Sequence, residues 1–426
     1  RSCSRVQARD ARAMQDSLLG AVAEEPKKKT CLGSVVHMLP TMRDWLAVLL
    51  GPAVSLPLSV SYAALITGSG AGQTLFPVVL QQVMWSQFAG SLVLGLSTQF
   101  VTTCNVDPVA SILFVTLAKR LFAQLHDMPE LVLPQLITGM ILASLATGIF
   151  LYLLGRFRLG SILSFVPYTV LGGFLAGVGI LIALEALSLA AGIDVLELIP
   201  STIILAVNGG DLGSVSFPWL QIGLVCSYAT ATGLARRYTQ FSSVYVLLVV
   251  MLLVEIVRGV SNGAYPQSEC FLKIEGVMDV TAPFSNFLIG IQTFDLLSLD
   301  FWSFVMSFVV VLSLSFCLCM AALPKVCLLK GGRRRADLQD EIKNCGITNI
   351  ILALTGGQAI CQSIKIPLAM KQVGGGHAWP IVIVLVNFTI CMWSPQAVIS
   401  TVPLFVFGGT MLMLAIDLIE EWLVHS

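Results

Sequence analysis

Two polar stretches decide the fold: STQFVTTCNVDP at residues 97–108 and GGQAICQSIK at 356–365. Both interrupt a chain that is otherwise apolar. Each stands before an apolar run too short to cross a bilayer, 108–119 in one case and 364–373 in the other. Non-helical backbone at membrane depth persists only when it is buried in protein or lines a watery cavity. A pair of short, interrupted segments in corresponding places of two halves is the sequence pointer to a transporter site.

The surroundings are those of a membrane protein. Of 426 residues, 56% are apolar and only 11% charged, against roughly 25% charged in a soluble domain. That composition excludes a soluble globular chain, a disordered one and a collagen-like one. Apolar runs fall at about 44–66, 76–97, 108–119, 131–155, 167–191, 216–235, 241–260, 301–323, 345–356, 364–373, 380–394 and 402–424. The third and tenth runs correspond if the second half begins at the eighth, which makes a seven-span repeat. An odd number of spans per repeat gives the two copies opposite orientation. The expectation is an all-α polytopic membrane protein with a seven-plus-seven inverted-repeat transporter fold, two short strands before half-helices 3 and 10, and an end after about span 12. Its divisions are a mostly disordered cytosolic tail (1–43), a first repeat (44–260), an outward or lumenal loop (261–299) and an incomplete second repeat (300–426).

Charge placement orients the chain. With the N-terminus inside, 18 of the 24 basic residues fall in the tail and the inside loops, including Arg156, Arg158, Arg236, Arg237 and the run from Lys325 to Lys343. This is the positive-inside bias. Arg1 is not an initiator Met, so the sequence is read as lacking its natural start. The Cys residues, most of them inside apolar runs, read as small fillers rather than a disulfide framework. The sequon Asn387-Phe388-Thr389 lies inside an apolar run and is not expected to be reachable. No H-E-x-x-H, P-loop or G-x-S-x-G occurs, and the four His residues are scattered. No enzyme activity, metal, cofactor or nucleic-acid partner is expected. The partners are a small charged solute and membrane lipids. Which membrane is involved does not follow from the sequence.

The block GRFRLGSILSFVPYTVLGGFLAGVGILIALEAL (155–187) resembles the fifth helix and basic lead-in of the sulfate permease (SulP) transporters. DWLAVLLGPAVSLPLSVSYAAL (44–65) resembles that family's first helix, and DEIKNCGITNIILALTGG (340–357) its ninth. The wording of 155–187 and an Asp before the third helix are closest to the branch with a cyclic-nucleotide-binding-like cytosolic domain. The resemblance implies fourteen spans, a homodimer and secondary active transport of a small anion, sulfate by default, by alternating access. Spans 1–4 and 8–11 would carry the site past a gate built from the rest. Departures are clear: Leu58 stands where the family often has Gln, and the base of the tenth helix comes one residue early. The eighth helix, LSLSFCLCM (312–320), lacks the family's frequent Glu, with Ser315 nearest.

The site is read from the two half-helices. Their N-termini would face a common cavity and offer free N–H groups to an anion. Pro108 suits the first helical position, with Val109 next; Ser363, Ile364 and Lys365 open the tenth span. Ser363 supplies a hydroxyl. Lys365 is either a mobile point charge at the site or a side chain snorkelling to the interface. Ser55 and Ser59, one turn apart on the Pro-containing first helix, are placed along the cavity. Asp107 is either a helix cap or an intramembrane carboxylate with a role of its own. The second reading favours a proton- or cation-coupled carrier of a basic solute; a third possibility is a non-transporting subunit or sensor on the same fold. Glu185 and the pair Glu255 and Arg258 are weaker candidates. Gly172, Gly173 and Gly177 read as close-packing positions.

Overall fold

In the computed structural model, the described residues are 42–67, 74–160, 168–191, 219–236, 246–247, 249–254, 256, 282–293, 299–330, 336–364, 366–367, 370, 379–393 and 402–420. Helices α1 (Met42–Thr67) and α2 (Phe76–Ser97) lead into strand β1 (Cys104–Val106). Helices α3 (Pro108–Gln124), α4 (Val132–Arg156), α5 (Tyr168–Ala191) and α6 (Trp219–Arg236) follow. Next come α7 (Ala282–Thr293), α8 (Leu299–Val326), α9 (Leu338–Leu354) and strand β2 (Ile360–Gln362). Helices α10 (Trp379–Trp393) and α11 (Leu404–Ile419) complete the described elements.

The apolar runs became helices, with informative differences. Pro57 does not break α1, which stays helical through it. α9 begins seven residues before the apolar run that signalled it. Its start is polar: Asp337 caps it by accepting from the Gln339 N–H at 2.9 Å, and Asp340 and Glu341 occupy its first turn, where the helix dipole favours acid. The segment read as a loop over 261–299 contains α7. That helix lies on α4, where the Thr138 hydroxyl donates to the Phe287 carbonyl at 3.4 Å and Gln135 Nε2 to the Thr293 carbonyl at 3.3 Å. Helices over Pro129–Arg156, Gly172–Leu189 and Phe301–Pro324 are long and apolar enough to cross a membrane.

Packing sorts the described helices into two groups. α5, α6 and α11 pack on one another, while α4 packs on α9 and α7, and α10 on α1 and α2. α4 and α9 approach each other closely. A Cβ on Gly148 would lie 2.8 Å from the Ile350 nitrogen, and one on Gly155 2.5 Å from the Lys343 nitrogen. Side chains are excluded there because backbone meets backbone. By contrast, a Cβ on Gly173 or Gly177 would meet no described atom, whereas one on Gly179 of the same helix would lie 3.1 Å from the Ala415 carbonyl oxygen of α11; of the expected close-packing glycines, Gly173 and Gly177 do not serve as such among the described residues. The groups touch through α3 and α5, where Lys119 Nζ and Glu185 Oε1 form an ion pair at 2.7 Å, and through α1 and α11, where the Ser61 hydroxyl donates to the Phe407 carbonyl at 3.3 Å.

Candidate functional site at the strand pair

β1 and β2 form an antiparallel ladder with Cys104 opposite Gln362, Asn105 opposite Cys361 and Val106 opposite Ile360. A two-stranded ladder buried among helices has two unpaired edges, and each backbone group there needs a partner. Side chains provide them. On the β2 side, Asn349 of α9 accepts from the Ile360 N–H at 2.8 Å and donates to the Ile360 carbonyl at 3.0 Å. The Ser144 hydroxyl accepts from Ala359 N–H, and the Ser86 hydroxyl from Gln358 N–H, both at 2.8 Å. On the β1 side, Ser91 accepts from Cys104 N–H at 2.8 Å. The two polar stretches, 97–108 and 356–365, thus each contain one of the expected short strands.

Each strand ends in a capped helix start. Asp107 is extended, with Pro108 following as the first helical residue, and its Oδ1 accepts from the Val109 N–H at 2.8 Å. Ser363 plays the same part after β2: its hydroxyl accepts from the Ile366 N–H at 3.4 Å. Ile366 and Pro367 are helical. The second start is tied to the first strand, since the Ser363 N–H donates to the Thr103 carbonyl at 2.8 Å and the Thr102 hydroxyl to the Ser363 carbonyl at 2.9 Å. In this register Ser363 falls beside Thr103, so the caps stand four residues, roughly 13 Å, apart along the strands. The two starts therefore do not meet.

Asp107 is 5% exposed, and its second oxygen, Oδ2, accepts from the Ser315 hydroxyl of α8 at 3.0 Å. The eighth helix thus reaches the carboxylate at the start of the third through Ser315. Ser55 and Ser59 go elsewhere. Ser59 donates to Gln87 Oε1 of α2 at 2.9 Å, Gln87 Nε2 donates to Asn105 Oδ1, and Asn387 Nδ2 of α10 donates to Ser55. The predicted residues divide into two clusters: Asp107, Pro108 and Val109 with Ser315, and Ser55 and Ser59 with Gln87, Asn105 and Asn387. Ile364 follows the Ser363 cap, half-buried against the core. Lys365, Glu255 and Arg258 lie outside the described residues.

Glu341 was not anticipated. It is fully buried near the first turn of α9 and accepts from the Thr98 hydroxyl and the Gln99 N–H, both at 2.7 Å, and from Gln362 Nε2 at 3.2 Å. One carboxylate thus holds the approach to β1 and the end of β2. Close by, Val101 N–H donates to the Leu328 carbonyl and Lys330 N–H to the Gln99 carbonyl, each at 2.8 Å. Lys330, in the loop after α8, donates from Nζ to the Gly95 carbonyl at 2.5 Å. Its burial pushes its pKa down, and the nearby Glu341 partly offsets that.

Residues 42–425 match the sulfate permease family. No curated protein matches the chain. Among solved structures, the transmembrane domain of a cyanobacterium bicarbonate transporter, BicA, is similar with a TM-score of 0.62 at 16% identity, over 90% of each chain. SLC26A9 is similar with a TM-score of 0.63 at 14% identity, over 97% of this chain and 62% of that one. The murine Slc26a9 anion transporter in its inward-facing state gives 0.62 at 12% identity, over 96% and 67%. At these identities the structures speak for the fold alone: a helical membrane-transporter fold with two short strands.

Proposed function

This chain belongs to the sulfate permease family, and from that premise we propose that it is a secondary active transporter of a small anion, sulfate by default, working by alternating access. One observation carries the reading: an antiparallel strand pair that launches two N-capped helices inside the protein. Each helix start directs N–H groups and about half a positive charge at the space beyond its cap. An anion there is bound by dipoles, without desolvating a fixed cation. The packing supports a core made of α1–α4 and α8–α10 moving against α5, α6 and α11. The Lys119–Glu185 pair joins α3 to α5 across that boundary. A cytosolic N-terminus, by the positive-inside bias, and a homodimer belong to the same proposal.

A second reading rests on Asp107. A buried carboxylate whose oxygens accept from Val109 and Ser315 repels an anion when ionised. It suits a carried proton or a basic solute. Proteoliposomes given sulfate, bicarbonate, chloride and arginine in one uptake panel test both. Saturable anion uptake is the expected result. Arginine uptake without anion uptake supports the second reading, and no uptake of any of the four leaves a scaffold or sensor.

A further inference from the structure

Of the ion pairs between described residues, only Lys119–Glu185 crosses from one helix group to the other. Lys119 Nζ of α3 donates to Glu185 Oε1 of α5 at 2.7 Å, and the Glu185 side chain is 10% exposed. Along α5, Ile182 and Leu189, one turn to either side of Glu185, and its neighbour Ala186 are buried. A carboxylate so placed at membrane depth is costly without a partner. Sliding of α3 against α5 by more than the reach of the lysine stem breaks the pair. It therefore belongs to one arrangement of the two helix groups.

Helix geometry says which arrangement that is. With the inside loops set by the positive-inside bias, α3 and α5 both run outward. Lys119 stands eleven residues beyond Pro108, about 16 Å along α3 at 1.5 Å per residue. Glu185 stands seventeen residues beyond Tyr168, in a helix of 24 residues. That is about 26 Å along a length of about 36 Å. Because the two side chains meet, the start of α3 lies level with a point about 10 Å from the inner end of α5, short of its midpoint. The first helix start is thus displaced inward against α5, and the ion pair holds the outer parts of the two helices together.

We infer that Lys119 and Glu185 form an outer latch, closed while the core is displaced inward and opened when the core moves outward. The latch rests on the alternating-access reading and deepens it. It names the contact that sets the balance between the two arrangements and the side of the membrane that this contact closes.

Hydrogen–deuterium exchange of the full chain in lipid nanodiscs reads this movement without any solute. Glu185→Gln keeps the shape and removes the charge. It should raise exchange severalfold over the outer parts of α3 and α5, residues 116–124 and 183–191, and lower it at the inner end of α5, residues 168–174. The opposite signs at the two ends separate release of a latch from loss of folding, which speeds exchange everywhere. Combining Lys119→Glu with Glu185→Lys re-forms the pair with its signs reversed and should return both ends to the wild-type pattern. Wild-type exchange in Glu185→Gln overturns the inference. So does faster exchange at both ends of α5 together, which makes the pair an ordinary packing contact. Sulfate, bicarbonate, chloride and arginine uptake in proteoliposomes keeps the two proposals apart. Opposite changes at the two ends without uptake of any of the four sink the transport reading and support the latch; uptake with unchanged exchange sinks the latch alone.

Discussion

The two helix starts at the strand pair share a geometry and differ in chemistry. After β1 the cap is a carboxylate, Asp107, with the Ser315 hydroxyl on its second oxygen. After β2 the cap is a hydroxyl, Ser363, tied back to Thr102 and Thr103. In sequence, a base follows the second cap by two residues, at Lys365, and none follows the first so closely. The repeat thus preserves the backbone and divides the charges: negative at one start, positive beyond the other. A cap needs only an acceptor oxygen, so the carboxyl group at Asp107 exceeds what capping requires, and its excess is what a solute or a proton would meet.

The largest expected effect tests whether the two starts are one mechanical unit. Glu341 accepts from donors on both strand approaches. Glu341→Ala strands those donors in the interior, with an expected destabilisation of about 3–5 kcal/mol. Glu341→Gln, with one acceptor oxygen, should recover part of it. Thermal melting of the purified variants checks this; an Ala variant as stable as the wild type would show the ends of the strands to be independently held.

Next in size is the base beyond the second cap. Lys365→Ala should weaken anion binding by about 1–3 kcal/mol, the scale of one charged hydrogen bond. Equilibrium binding of sulfate measures it. Unchanged affinity would mean that the lysine snorkels and that the charge asymmetry rests on Asp107 alone.

These contrasts show how far the sequence could be read. The half-helices were legible because polar, β-prone residues interrupt apolar runs, and Pro108 and Asp107 are local cap signals. The start of α9 was also signalled, by Asp337, Asp340 and Glu341, but an apolar count passes over polar residues that the fold buries. Gln87, Asn105, Asn387 and Glu341 were hidden for another reason. Each partners residues far along the chain; Asn387 meets Ser55 from 332 positions away. Asn387 drew notice only as an unreachable sequon, and it is indeed buried. The glycines mislead in a similar way. Gly148, Gly155 and Gly346 lie where α4 and α9 backbones meet, while Gly173 and Gly177 meet no described atom, because glycine density does not reveal which helix face is covered.

A smaller effect separates the hydroxyl cap from the carboxylate cap. Ser363→Ala removes an acceptor 3.4 Å from its donor, a long bond. The expected loss is about 0.5–1 kcal/mol, at the low end for caps. Asp107→Ala removes a 2.8 Å bond and the Ser315 contact together, and should lose about 2 kcal/mol, the upper end. Melting of the two variants side by side checks the order, and equal losses would erase the contrast between the starts.

The smallest stability change is expected from Asp107→Asn, and it is the most discriminating in function. Asn caps a helix about as well as Asp, and its amide oxygen can keep the Val109 bond, so melting should shift by no more than about 0.5 kcal/mol. What disappears is the charge. For an anion held between the caps, about 8 Å from the carboxylate at an effective dielectric near 40, the repulsion removed is on the order of 1 kcal/mol. Sulfate carries two charges, so its binding should tighten by about 2 kcal/mol, roughly thirtyfold. If Asp107 instead carries the coupling proton or holds a basic solute, the same variant should still fold and reach its membrane, yet lose accumulation and its pH dependence. A pure cap gives neither result. The three outcomes differ in sign, so binding of sulfate and uptake of sulfate and arginine across pH, measured on this one variant, decide whether the charge at the first helix start serves the anion, a proton or nothing beyond the helix itself.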